Sequence, residues 1–318
     1  MRLITRRRLI RGHINDVGGL LTALVSQRHA LRGEVGPPPS VANAAAVADP
    51  ILVAARKPRR AKFLIVGNMR TGSTWLETLL GALPDVATEF ELKWRPRYTP
   101  LAIHRVLDTD SPTVEQILEE LESDLPVVGS KFILDPYHFS PLQFRKLREK
   151  LSSEIRIVHL TRNPRSIFLS RHRGSYHHLN RASAARISER LKAAIADADI
   201  DKARVRPSPR QIAATDCYDE LAMYVGNDVR LAQLARSHRH YLLIDYREIA
   251  KRMTEIARFI GSEAGPDISA AVLEQSPTVK LPPVEPEHLV ANVNELAPLF
   301  EHFEALRQRL TENWRAAA

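Results

Sequence analysis

One segment, residues 62–75, constrains the fold of this chain more than any other part of its sequence. The apolar run from Phe63 to Val66 predicts a buried strand, and a helical pattern begins at about Ser73 after a short loop. Free amides at a helix N-terminus bind phosphate with the help of the helix dipole, and Gly72 lets a ligand approach the backbone closely. Further donors in the loop are the Arg70 guanidinium and the hydroxyls of Thr71, Ser73 and Thr74. The segment therefore predicts an anion-binding loop between a strand and a helix.

The spacing of this loop is that of a P-loop, because four residues separate Gly67 from Gly72. The lysine that a nucleoside triphosphatase needs for the β- and γ-phosphates is replaced by Ser73. Arg70 supplies a cation from inside the loop instead. The loop therefore suits one phosphate that carries one further charged group better than it suits a triphosphate.

A second strand–helix junction predicts another anion site. The apolar run from Ile157 to Leu160 leads to Arg162 at the end of a predicted strand. The next residues, Asn163 and Pro164, favour the start of a helix. Ser170 follows within that helix, so its hydroxyl and the Arg162 guanidinium can point at the same phosphate.

Together the two junctions resemble the nucleotide site of sulfotransferases that use 3'-phosphoadenosine 5'-phosphosulfate (PAPS). The run Arg70-Thr71-Gly72-Ser73-Thr74-Trp75 is similar to the loop that cradles the 5'-phosphosulfate in that family. Arg70 matches the family's cation on the oxygen that leaves sulfur, and Arg162 and Ser170 match its pair on the 3'-phosphate. The resemblance covers about residues 62–315. It implies PAPS as co-substrate and adenosine 3',5'-bisphosphate (PAP) as product.

Two further positions are candidates for the chemistry of sulfuryl transfer. The chain resembles bacterial sulfotransferases of the trehalose and nodulation-factor type, which place a catalytic glutamate shortly after the helix that follows the phosphosulfate loop. Glu91 matches that spacing, and Glu89 is the second candidate for this base. Lys131 lies near the end of another predicted strand, where its charge can neutralise the transferring sulfuryl group. Ile133 stands where cytosolic sulfotransferases have a histidine base, which favours Glu91.

Short apolar runs alternate with helical patterns from Lys62 onward. Runs rich in β-branched residues predict strands that are buried on both faces of a parallel sheet. These runs are Phe63–Val66, Val127–Ile133, Ile155–Leu160 and Tyr241–Ile244. The sequence therefore predicts a three-layer, P-loop-like α/β fold in which helices flank a central, mainly parallel sheet. Such sheets bind ligands at the carboxyl ends of their strands, where both anion motifs lie.

Charge divides the chain into unequal parts. Residues 1–62 hold twelve Lys and Arg against three Asp and Glu, so they account for the whole net charge of +9. The remainder is neutral, which argues against nucleic-acid binding by the globular part. We predict a basic amphipathic extension at residues 1–33, a proline- and alanine-rich linker at 34–61 and a sulfotransferase domain at 62–318.

The predicted extension at residues 1–33 has three interpretations. It can pack on the domain or on a second subunit, which would make a homodimer. It can lie on an anionic membrane surface, as basic amphipathic helices do. It can also be a twin-arginine export signal or a transit peptide, although Asp16 interrupts the apolar region that an export signal needs. PAPS supply favours a cytoplasmic location, peripheral at the membrane under the second interpretation.

The resemblance implies a carbohydrate or glycolipid acceptor, because Arg162-Asn163-Pro164-Arg165 followed by Ser170-Arg171 is most similar to carbohydrate sulfotransferases. The implied in-line displacement at sulfur requires no metal. Two alternatives remain at this stage. A P-loop-type nucleotide kinase is disfavoured by Ser73 and would bind ATP with magnesium. A non-enzymatic, membrane-associated binding protein would use residues 1–33 and bind liposomes without binding PAP.

Overall fold

Strands with apolar side chains on both faces form the centre of the fold. The computed structural model describes residues 60–89, 113–119, 123–134, 141–173, 177–179, 209–235, 238–280 and 284–317. The central sheet consists of β1 (Ala61–Asn68), β2 (Val86–Glu89), β3 (Val127–Leu134), β4 (Arg156–Thr161) and β6 (Tyr241–Asp245). Its strands lie in the order β2–β3–β1–β4–β6, and every neighbouring pair is parallel. A separate antiparallel pair consists of β5 (His177–Leu179) and β7 (Thr278–Lys280).

Helices follow most of these strands. They are α1 (Ser73–Leu80), α2 (Val114–Glu119), α3 (Pro141–Lys150), α4 (Pro164–Arg173), α5 (Ala214–Ala235), α6 (Met253–Ile260), α7 (Pro266–Glu274) and α8 (Ala297–Ala317). Short 3-10 helices span Tyr246–Glu248 and Pro286–His288. Of the helices in the described ranges, none combines the length and the apolar character needed to cross a membrane.

The alternation of side chains along β1 divides the core into two layers. Leu64 and Val66 belong to a cluster on one face of the sheet, which includes buried residues of α2, α3 and α5. Phe63 and Ile65 belong to the cluster on the other face, where α1, α6 and α7 pack. Burial of the apolar side chains in each cluster stabilises the fold by about 25 cal/mol per Å² of apolar surface removed from water. The predicted three-layer α/β fold is therefore confirmed.

The four predicted strands are all present, with ends that differ by at most two residues from the apolar runs. The sequence did not predict β2, which is short and includes Thr88 and Glu89 among its four residues. The predicted extension at 1–33 lies outside the described residues, as does the predicted linker at 34–61 except for its last two residues. The described residues belong to one compact unit, Arg60–Ala318.

The parallel arrangement brings the carboxyl ends of all five strands to one edge of the sheet. Asn68, Thr161 and Asp245 are the last residues of the neighbouring strands β1, β4 and β6. The segments that follow these residues are the anion-binding loop, the Arg162 junction and Tyr246. The topology therefore assembles three separate parts of the sequence at the edge where sheets of this class bind ligands.

Candidate active site

The loop between β1 and α1 passes through left-handed backbone at two positions. Arg70 has φ 68° and Gly72 has φ 91°, and no other non-glycine residue of the described ranges has a positive φ. A Cβ atom at residue 72 would lie 2.4 Å from Cδ2 of Tyr246, so both the backbone angle and the available space require glycine. Gly72 is also the N-cap of α1, whose first N–H groups are therefore available beside the loop. The predicted junction of strand, loop and helix is therefore present, with the first N–H groups of α1 beside the loop.

The second junction forms as the sequence predicted. Arg162 directly follows β4, and the Oδ1 atom of Asn163 accepts a hydrogen bond from the Ser166 amide at 3.1 Å, which caps α4. Ser170 lies in α4 and is buried, with 8% of its surface exposed. The cap fixes the first turn of α4 directly after Arg162.

The two junctions are in direct contact. Nη1 of Arg162 donates a hydrogen bond to the Arg70 carbonyl oxygen at 2.8 Å, so the second junction touches the middle of the loop. The Arg162 guanidinium also stacks over the Tyr246 ring, with Cζ 4.3 Å from the ring centroid. The Tyr246 ring also packs against Gly72. The centroids of the Tyr246 and Trp75 rings are 5.8 Å apart. Tyr246 therefore joins the loop of β1 to the cation that follows β4.

Lys131 reaches the loop from the interior of β3. It pairs in register with Ile65 and is almost completely buried. Its Nζ atom donates a hydrogen bond to Oγ1 of Thr74 at 2.6 Å and lies 3.4 Å from Oε2 of Glu77. Lys131 is therefore tied to the first two turns of α1, on which Thr74 and Glu77 lie.

A model of the sulfotransferase domain family matches residues 60–277, which is more than half of the chain. The chain belongs to the sulfotransferase family. This assignment confirms the enzyme class that the two anion motifs predicted. The matched region includes every strand of the central sheet and both junctions of the site.

Solved structures of other sulfotransferases are similar to this sulfotransferase at low sequence identity. Mouse sulfotransferase SULT7A1 complexed with PAP is 15% identical, with a TM-score of 0.32, and the match covers 69% of this chain and 64% of the mouse chain. The sulfotransferase domain of the Synechococcus PCC 7002 olefin synthase is 12% identical, with a TM-score of 0.37 and coverages of 76% and 95%. STF9 from Mycobacterium avium is 14% identical, with a TM-score of 0.39 and coverages of 77% and 76%. None of the curated proteins matches the chain significantly.

The predicted site residues of this sulfotransferase divide into two groups. Most lie where three strand ends meet: Arg70, Thr71, Gly72, Ser73, Thr74, Trp75, Arg162 and, through Thr74, Lys131. Ser170 is placed farther along α4. Glu91 lies outside the described residues. Glu89 ends β2, where its backbone pairs with Ser130, the residue before Lys131.

Two residues of the site were missed by sequence reasoning. They are Tyr246, which directly follows β6, and Glu77, which lies on α1. A signal for Tyr246 did exist, because a residue that directly follows a parallel strand lies at the ligand edge of the sheet. Glu77 gave no comparable signal, since its pairing with Lys131 depends on how α1 packs on β3.

A buried polar network holds the start of the loop. Nδ2 of Asn68 donates to Oδ1 of Asp228 at 2.8 Å and to the Tyr224 carbonyl at 2.9 Å, while Asn227 donates to Oδ1 of Asn68 at 3.0 Å. The Asn68 carbonyl accepts from the Thr71 hydroxyl at 2.8 Å. Burial raises the pKa of the Asp228 carboxyl above its usual 3.8, against the opposing influence of a nearby histidine. The network therefore fixes the loop to α5 through fully buried partners.

Proposed function

We propose that this sulfotransferase transfers a sulfuryl group from PAPS to a hydroxyl of a carbohydrate or glycolipid acceptor. The contact between Arg162 and the Arg70 carbonyl at 2.8 Å carries the proposal. A donor with a 5'-phosphosulfate and a 3'-phosphate needs two anion sites at close range. The loop and the Arg162 junction are two such sites on neighbouring strands, β1 and β4.

The residues present fit the charge of this donor. Arg70, the amides of the loop and the N-terminus of α1 would hold the 5'-phosphosulfate. Arg162 and Ser170 would hold the 3'-phosphate. The Arg162 guanidinium has five N–H groups, and one of them donates to the Arg70 carbonyl. A triphosphate would instead need the lysine that Ser73 replaces.

The proposed mechanism is an in-line displacement at sulfur. Glu91 takes the proton of the acceptor hydroxyl as that oxygen forms its bond to sulfur. The bond between sulfur and the bridging phosphate oxygen breaks, and PAP leaves with the electron pair on that oxygen. Arg70 stabilises the charge that develops on the bridging oxygen, and Lys131 assists at the loop. Fixed positions and fixed charges supply most of the rate enhancement in this scheme.

The place where β2 ends supports a base shortly after this strand, as Glu91 would be. β2 ends at Glu89, at the same edge of the sheet as the loop, and its register sets Glu89 opposite Ser130. Glu91 follows two residues later along the chain. The proposed setting of the reaction is the cytoplasm, with residues 1–33 as a candidate contact to a membrane surface or to a second subunit.

Sulfate transfer from radiolabelled PAPS to a panel of oligosaccharides and glycolipids tests the proposed acceptor class. The expected result is label in one carbohydrate class and none in matched panels of peptides and phenols. Label in phenols or peptides alone would contradict the acceptor class while leaving the sulfotransferase activity intact. ATP hydrolysis or phosphate transfer that depends on magnesium, without sulfate transfer, would contradict the proposed reaction itself.

The 3'-phosphate site is tested by a comparison of two nucleotides. We expect Arg162→Ala to weaken the binding of PAP at least tenfold and to change the binding of AMP much less, because AMP lacks the 3'-phosphate. Isothermal titration calorimetry on the full chain measures both dissociation constants. Arg165, the next arginine in sequence, lies 5.8 Å from the Phe300 ring and gives a matched control as Arg165→Ala. An equal loss for PAP and AMP would contradict the assignment of Arg162.

A further inference from the structure

Glu77 and Lys131 form a buried pair of opposite charges directly behind the loop. The Glu77 side chain is 0% exposed and the Lys131 side chain 1% exposed, and their Nζ and Oε2 atoms are 3.4 Å apart. A charge is rarely buried without a partner, because removing it from water costs several kcal/mol. The pair as a whole therefore brings no net charge to the loop, although Lys131 taken alone would add one positive charge.

The hydrogen bond between Lys131 and Thr74 has only one direction. An ammonium group has three donors and no acceptor, so Oγ1 of Thr74 must accept from Nζ at 2.6 Å. The hydrogen of the Thr74 hydroxyl is then directed to another acceptor. Thr74 is the second residue of α1, where the free N–H groups of the helix favour an anion as that acceptor.

We infer that Glu77 is a positioning residue for sulfuryl transfer: it holds Lys131 against Thr74, so that the Thr74 hydroxyl donates to the 5'-phosphoryl group, and it cancels the charge of Lys131. This inference rests on the proposed function, since it names how one side of the same site acts. Lys131 acts through the Thr74 hydroxyl. The net positive charge that attracts the donor comes from Arg70 and Arg162. Glu77 thus limits the affinity of the loop for the 5'-phosphate that remains on PAP.

The inference predicts opposite effects for the two partners of the pair. Glu77→Gln keeps the shape of the side chain and an oxygen that can accept from Lys131, but it leaves the charge of Lys131 uncancelled. We expect Glu77→Gln to tighten the binding of PAP on the order of tenfold, because a full positive charge then lies behind the loop. We expect Lys131→Met to weaken the binding of PAP by a similar factor, because the donor to Thr74 is lost.

A double-mutant cycle tests whether Lys131 acts on the nucleotide through the Thr74 hydroxyl, which we call the relay, or independently of it. Thr74→Val removes the hydroxyl and keeps the shape of the side chain. If Lys131 acts through Thr74, Lys131→Met weakens the binding of PAP by a smaller factor in the Thr74→Val background than in the unmodified chain, because only the uncancelled charge of Glu77 then contributes. Losses that multiply across the two changes would overturn the relay. This cycle also decides the matter if Glu77→Gln fails to fold.

Adenosine 3'-monophosphate and a second, partly buried ion pair are the controls. Adenosine 3'-monophosphate lacks the 5'-phosphate, so none of these changes should alter its affinity by more than about twofold. Lys62, at the opposite end of β1, pairs with Glu115 at 3.0 Å, and Glu115→Gln should leave the affinity for PAP unchanged. A loss of affinity in Glu77→Gln that is equal for PAP and adenosine 3'-monophosphate would show a merely structural role and overturn the inference. Absence of PAP binding by the unmodified chain would instead refute the proposed function.

Discussion

At the scale of the residue, Gly72 is the position where backbone and packing constrain the chain together. Its φ of 91° is left-handed, which disfavours any residue with a side chain. A new Cβ atom would also lie 2.4 Å from Cδ2 of Tyr246. We expect Gly72→Ala to lower the free energy of unfolding by about 1–2 kcal/mol and to weaken the binding of PAP at least tenfold. Urea unfolding and calorimetry measure the two quantities.

Gly265 offers a matched control for Gly72. It has an ordinary φ of −72°, and a Cβ atom there would meet nothing within 4 Å. Gly265→Ala should cost less than about 1 kcal/mol, as other replacements at the N-cap of a helix do, and should leave the binding of PAP unchanged. If Gly72→Ala behaves like Gly265→Ala, Tyr246 can move away and does not fix the loop.

Glu91 is tested by separating chemistry from binding. We expect Glu91→Gln to lower the turnover number about 10²–10⁴-fold while the dissociation constant of PAP stays the same, since the base acts on the acceptor hydroxyl and not on the nucleotide. Radiolabel transfer measures turnover, and calorimetry measures binding. Glu89→Gln is the control, and it also tests Glu89 as the second candidate for the base. A larger loss of turnover in Glu89→Gln would assign the base to Glu89.

At the scale of the element, the 3-10 helix that follows β6 holds Tyr246 in place. The Asp245 carboxylate accepts from the Arg247 amide at 3.0 Å and lies 3.3 Å from Nη1 of Arg307, a buried arginine of α8. Burial alone would raise the pKa of Asp245, but hydrogen bonds from Arg247 and the charge of Arg307 outweigh it, and the pKa lies below 3.8. Asp245 therefore ties the end of β6, and with it Tyr246, to the C-terminal helix.

Because the folded pKa of Asp245 is depressed, its contribution to stability is present above pH 3.8 and is lost as the pH falls through the folded pKa. We expect Asp245→Asn to lower the free energy of unfolding by roughly 2 kcal/mol at pH 7, with a difference that shrinks as the pH falls through the folded pKa of Asp245. Urea unfolding at several pH values measures this. Arg247→Ala removes a partner whose side chain is 70% exposed and should cost less than about 1 kcal/mol. A constant difference at all pH values would exclude the carboxylate as its source.

The strands of the sheet also show how much of the fold could be predicted from the sequence. The β-branched runs predicted β1, β3, β4 and β6, because a strand buried on both faces needs little besides continuous apolar character. β2 escaped prediction since its four residues include Thr88 and Glu89, and its place in the sheet comes from pairing with β3. The two anion motifs could be predicted because a tight loop requires a glycine, here Gly72, and a helix start favours an N-cap residue, here Asn163. The contacts of Tyr246 and Glu77 were not visible, since they depend on packing between distant segments.

At the scale of the whole molecule, the site joins β1, β4 and β6, and a nucleotide that binds it connects all three. PAP should therefore stabilise the folded chain by about 2.7 kcal/mol at a concentration one hundred times its dissociation constant, which corresponds to a rise in Tm of roughly 4–5 °C. Differential scanning calorimetry with PAP, AMP and no nucleotide measures this shift. AMP at the same concentration should raise Tm much less, because it engages the loop without the Arg162 junction. In Arg162→Ala the shifts with PAP and AMP should become equal. A PAP shift that stays larger than the AMP shift in Arg162→Ala would mean that the 3'-phosphate is held elsewhere, and the two junctions would then have to bind separate ligands.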